Sequence, residues 1–194
     1  MNKFPRSGFI PFDAEPRWNF WGNTKRGIAV SNDQAPEIGI QILAEATVTE
    51  DNHYIGMQCA VGALQENTDY FVSYILRPVT KQWVFIRDGA NTAGQSHRTF
   101  FDIANMVIGN TSPMHRNPMI QNLGNGLVRV GLAFTPTDLD NVPQNEMVFG
   151  ITDTDGLNTA TSTLDDVIAE IYHAQIEEGN FPSMPEVKFP GQGQ

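Results

Sequence analysis

Residues 120–134, Ile-Gln-Asn-Leu-Gly-Asn-Gly-Leu-Val-Arg-Val-Gly-Leu-Ala-Phe, restrict the fold more than any other part of the chain. Asn125-Gly126 supplies residues that tolerate positive φ, so 122–126 reads as a hairpin connection between two strands. After it, Val128, Val130, Leu132 and Phe134 share one parity, and Leu127, Arg129, Gly131 and Ala133 share the other. That is the period of a strand with one face on a core, and it turns Arg129 away from that core.

The same period recurs upstream and downstream. Ile38, Ile40, Ile42, Ala44, Ala46 and Val48 alternate with polar or small residues, Glu50-Asp51-Asn52 marks a turn, and Ile55, Met57, Cys59 and Val61 alternate again. Residues 69–77 and 82–87 form a pair broken at Pro78, 99–103 and 146–151 are further strands, and 105–118 is loop-rich. About eight or nine strands at this spacing specify an all-β fold, an antiparallel two-sheet β-sandwich. One segment conflicts with it. Leu164, Val167, Ile168, Ile171, Tyr172 and Ile176 fall at helical spacing, and Thr163 with Asp166 resembles an N-cap, so the residues alone predict a helix over 164–177.

Residues 1–36 read differently. Pro5, Pro11, Pro16 and Pro36 remove donors and fix φ, which predicts an extended N-terminal arm rather than regular structure, with the domain proper at 37–194. The arm gathers Lys3, Arg6, Arg17, Lys25 and Arg26 with the aromatics Phe4, Phe9, Phe12, Trp18, Phe20 and Trp21. A segment this aromatic is expected to dock, either on its own domain or on a neighbouring subunit.

Across 194 residues the formal charge of -10, with only 12 Lys and Arg, argues against a phosphate-backbone surface, so nucleic acid is not an expected partner. No apolar run is long enough to span a bilayer, which predicts no membrane insertion. The single cysteine, Cys59, is read as a buried small hydrophobe.

Four stretches then match a known family in order. They are 68–78 (TDYFVSYILRP), 100–111 (FFDIANMVIGNT), 120–134 (IQNLGNGLVRVGLAF) and 171–183 (IYHAQIEEGNFPS). Together they resemble the carbohydrate-binding-module-like jelly-roll domain of bacteriophage tail spikes, tail fibres and other virion proteins. The resemblance covers roughly 38–185 and implies a jelly roll, with strand rather than helix over 164–177. The chain departs from the family's pattern at Met106, where glycine is usual, at Leu127-Val128, where Trp-Tyr is frequent, and at Tyr172, where Trp is common.

Sugar recognition stacks a flat aromatic face on the ring and adds directed polar groups. The candidates here are Trp83, Tyr74 and Tyr172 with His97 and Arg98, and the competing reading makes the aromatics sheet core. Asp153 and Asp155 before Gly156 are the candidate Ca²⁺ ligands, though the loop does not fill a Ca²⁺ ligand set. His53, His97, His115 and His173 have no metal-type spacing, and there is no G-x-S-x-G, P-loop or G-x-G-x-x-G. No catalytic residue is assigned.

The expectation is a non-enzymatic bacteriophage virion protein, a capsid decoration or short fibre protein assembled in the host bacterial cytoplasm. Its attachment arm would use Phe4, Arg6, Phe9, Phe12, Arg17, Trp18 and Trp21 on other virion proteins of capsid or tail. A homo-oligomer, with a trimer as the closed assembly, is expected from the family's company. The alternative is a glycan-binding adsorption module for host surface polysaccharide.

Overall fold

The computed structural model describes residues 18–20, 27–30, 40–44, 55–60, 64–88, 97–137, 146–157, 161, 163 and 167–183, giving the backbone course alone for those up to 60. The strands are β1 Trp18–Phe20, β2 Gly27–Val30, β3 Ile40–Ala44, β4 Ile55–Ala60, β5 Tyr70–Pro78, β6 Trp83–Asp88, β7 His97–Asp102, β8 Val107–Thr111, β9 Arg116–Gly124, β10 Leu127–Phe134, β11 Glu146–Thr152 and β12 Val167–Glu178. They form two antiparallel sheets, in the orders β1-β4-β11-β6-β7-β8 and β2-β3-β12-β5-β10-β9. The described part of the chain is an all-β sandwich.

Its connectivity is that of one long hairpin rolled up. β6 pairs with β7, β5 with β10, β4 with β11 and β3 with β12, each pair enclosing the one before it. This nesting divides eight strands between two four-stranded layers, the jelly-roll order. The connection between β7 and β10 adds one strand to each layer, β8 beside β7 and β9 beside β10.

Alternation puts side chains from both layers into one interior. Tyr70, Val72, Tyr74 and Leu76 of β5 and Val128, Val130, Leu132 and Phe134 of β10 meet Val84, Ile86, Phe101, Phe149 and Ile151 of the facing sheet, all buried. Burying side chains of this size is worth about 1.5–3 kcal/mol each, and this burial holds the two layers together.

The turns follow from the residues that form them. Gly124, Asn125 and Gly126 all have positive φ, at 86°, 52° and 76°, as the hairpin at 122–126 requires. Between β7 and β8, the Asp102 carboxylate accepts the backbone N–H groups of Ala104 at 3.1 Å and Asn105 at 2.9 Å. The chain then passes through Met106 at φ 58°, a left-handed conformation that explains why glycine suits that position.

Of the helix predicted over 164–177, residues 167–177 are instead part of strand β12, lodged between β3 and β5. A register shift between Ile171 and His173 explains the misleading pattern. Ile171 faces Leu76 and His173 faces Ile75, so Tyr172 is an extra residue. The bulge carries the core face from the odd-numbered Ala169 and Ile171 to the even-numbered Ile176, and so breaks the period of two.

Regular structure also enters the segment read as an arm. β1 pairs with β4 (Trp18 opposite Cys59) and β2 pairs with β3. Both strands lie between Pro16 and Pro36, where every residue has a backbone donor to give. Phe4, Arg6, Phe9, Phe12, Arg17 and Trp21 lie outside the described residues, as do His53 and the side-chain surroundings of Cys59.

Arg129 points away from the interior as its parity requires, yet it is 3% exposed. Its Nη1 donates to the carbonyl of Ser183, which follows β12 and crosses over the outer face of the sheet.

Candidate functional site

The first sheet ends in β8, and beside it lies a groove of about 520 Å³. β7 contributes His97, Arg98 and Phe100, β8 and the turn after it contribute Asn110, Thr111, Ser112 and Pro113, and Gly156 closes one side. Its shape depends on two glycines. Gly109 has no room for a Cβ against Asp155 and Trp83, and Gly156, at φ 75°, has none against the Asn110 amide. The 153–156 turn can therefore lie on β8, where Asp155 Oδ1 accepts the Asn110 N–H at 2.7 Å.

Ser112 organises the other side. Its N–H donates to the Arg98 carbonyl at 2.9 Å, its carbonyl accepts from the His115 N–H at 3.0 Å, and Pro113 occupies the turn position that suits a fixed φ. Its hydroxyl accepts the Met114 N–H at 3.2 Å and lies 3.2 Å from His97 Nδ1. That pairing is the start of a nucleophile–base arrangement, but the buried His97 Nε2 has no hydrogen-bond partner to orient the ring or to support an imidazolium. Ser112 acts here as a turn-capping hydroxyl.

Behind the groove, His115 bridges Asp88 Oδ2 at 2.7 Å and Thr99 Oγ1 at 2.8 Å. The three groups have the order of a catalytic triad, but Thr99 is fully buried and no substrate can reach it. The set works as an internal polar brace.

Of the five residues singled out as sugar contacts, His97 and Arg98 line the groove, whereas Trp83, on the neighbouring strand β6, stands opposite Asp102 at the far end of β7 from His97, with its ring against Gly109 of β8. Trp83 is half-buried and packs with Phe85 and Phe100, and the Arg98 guanidinium sits 5.1 Å from the Phe85 ring centre. Tyr74 is interior, its ring 5.0 Å from that of Phe149, and is not available to a ligand. Tyr172 is on the outer face of the other sheet, its hydroxyl donating to Glu170 at 2.8 Å and its ring under Arg77. Burial, with the Glu170 carboxylate beside it, pushes the Tyr172 phenol up to about 12. Asn110, Thr111 and Ser112 were missed as a lining because they fall in a tract that reads as loop, and only the pairing of β8 with β7 shows which way they face.

Asp153 and Asp155 turn to different partners. Asp153 pairs with Lys81 and accepts the Thr161 N–H. Burial pushes its carboxyl up, and Lys81 and Thr161 more than offset this and hold it below the ordinary range. Among the described residues no three His, Cys, Asp or Glu side chains converge as a metal site.

No protein-family model and no curated protein matches the chain. The groove itself offers hydroxyl, amide and guanidinium groups on an open surface.

Proposed function

We propose that the protein is a non-enzymatic structural protein of a bacteriophage virion, a capsid decoration or short fibre protein displayed on the particle surface. One observation carries this reading. Three of the four stretches with virion-protein resemblance are the adjacent strands β12, β5, β10 and β9 of one sheet. The first and last of these stretches also meet at Asp69, which accepts the Asn180 amide at 2.6 Å and, through its carbonyl, the Gly179 N–H at 2.8 Å. These three stretches are thus neighbours in the fold.

The basic, aromatic N-terminal segment is the attachment, and the acidic body projects from it, an arrangement suited to an acidic shell. The proposed partners are other virion proteins and further copies of the chain, as a closed trimer. Particle association is tested with a chain lacking residues 1–17, which keeps β1. The full chain should co-sediment with particles and the shortened one should not. Equal co-sedimentation of both, or of neither, contradicts the proposal.

The groove favours a second reading, a module that adsorbs to host surface polysaccharide. Saturable binding on a glycan array that is lost in Asn110→Ala and Trp83→Ala would support it, and an array without signal would exclude it for the sugars displayed.

A further inference from the structure

The groove beside β8 carries the opposite sign to the body it sits on. Among its described lining residues there is one permanent charge, Arg98, and no carboxylate, whereas the chain as a whole has a formal charge of -10. A local field that opposes the rest of the surface selects what settles there.

Strand parity builds this field. Val84, Ile86 and Phe101 point into the interior, so Phe85 and Arg87 of β6 and Arg98 and Phe100 of β7 stand on the outer face of the first sheet. Arg87 is directly opposite Arg98 in register. Two guanidinium groups so placed repel each other and add their potentials over this end of the sheet. The Arg98 guanidinium is also oriented. It lies 5.1 Å from the centre of the Phe85 ring, and that ring is fully buried, seated on Gly150 with its centre 5.5 Å from that of Phe100. A guanidinium resting on an aromatic face keeps its edge, with the fork of N–H groups, for a planar acceptor.

The other part of the groove is neutral. Asn110 and Thr111, both exposed on β8, offer an amide and a hydroxyl. Asp155, the acid at the rim beside Gly156, has its Oδ1 on the Asn110 N–H at 2.7 Å. Arg98 is level with Ser112, whose N–H its carbonyl accepts, two residues or about 7 Å along β8 from Asn110. An anionic group therefore belongs at the Arg98 end and hydroxyl groups at the Asn110 end.

We propose that the groove takes an acidic polysaccharide, with the carboxylate of a uronic-acid unit on Arg98 and sugar hydroxyls on Asn110 and Thr111. This rests on the adsorption reading of the groove and adds to it the class of sugar. A carboxylate meets the flat N–H fork with two parallel bonds. The acidic body repels polyanions at large, so attraction of such a polymer is confined to this groove.

The test is binding of the full chain at about 0.15 M salt to three kinds of polymer. These are uronate-bearing polysaccharides, the same polysaccharides with their carboxyl groups reduced to hydroxymethyl, and phosphate-bearing polysaccharides. Binding to the first should be saturable and should weaken at least about tenfold on reduction, and by a similar factor in Arg98→Gln. The reduction arm uses the parent chain alone, so it decides the matter even where Arg98→Gln does not fold. Equal binding of native and reduced polymers, a preference for the phosphate-bearing ones, or undiminished binding by a folded Arg98→Gln chain overturns the acidic-sugar proposal and leaves the adsorption reading standing. No binding to any of the three overturns both.

Discussion

His115 Nε2 lies 2.7 Å from Asp88 Oδ2, and neither side chain is exposed. With Thr99 on its other nitrogen, His115 ties the turn before β9 to the inner ends of β6 and β7. Removing the imidazole leaves a buried carboxylate without that partner. His115→Ala should therefore cost about 3–5 kcal/mol in urea unfolding. Thr99→Val, which deletes one neutral hydrogen-bonding hydroxyl, should cost about 1–2 kcal/mol. Similar small losses in both would show that the brace carries no weight.

Met106 reverses the usual ranking of alanine and glycine. Its φ of 58° strains any residue with a Cβ, while its side chain packs against the core. Met106→Ala loses the packing and keeps the strain, whereas Met106→Gly loses the packing and relieves it. Thermal unfolding should place the glycine variant above the alanine variant by about 1 kcal/mol.

Gly150 lies opposite Phe85 between β11 and β6, and a methyl group there would overlap the Phe85 ring. Gly150→Ala should destabilise by about 1–3 kcal/mol, and pairing it with Phe85→Leu should recover part of the loss. Simple additivity of the two changes would mean that they do not share this space.

Asp69 gathers Arg116 at 2.6 Å, Thr135 at 2.7 Å and Asn180 at 2.6 Å. Those hydrogen bonds, Arg116 first, hold its carboxyl well below the ordinary 3.8. The unfolded chain then takes up this proton before the folded one does. The contribution is complete above 3.8 and fades as the pH falls below it. Asp69→Asn should flatten that part of the acid limb in a pH series of denaturation midpoints, and an unchanged limb would remove Asp69 from its causes.

Strand existence and parity were legible in the residues because period two depends only on neighbours along the chain. Val128, Val130, Leu132 and Phe134 lie inside as their alternation says, and the Asn125-Gly126 turn has the positive φ values it needs. What local pattern does not carry is what lies on the other face. Tyr74 and Tyr172 lie on neighbouring strands of one sheet but on opposite faces, so one is core and the other covers an outer surface. Arg129 reads as solvent-facing until Ser183, 54 residues later, folds across it. The bulge at Tyr172 defeats periodicity outright, since one inserted residue exchanges the faces of everything after it. The groove escapes for the same reason. Its two sides meet only when residues around 155 return to β8, 45 positions away from Asn110.

Electron cryomicroscopy of intact particles that encode this chain is the most direct test of its proposed place on a virion. The expected result is a symmetric set of sandwich-shaped densities on the outer surface, each joined to capsid or tail through its N-terminal segment. Purified particles that lack the chain, with all of it left in the infected-cell lysate, would contradict a virion role.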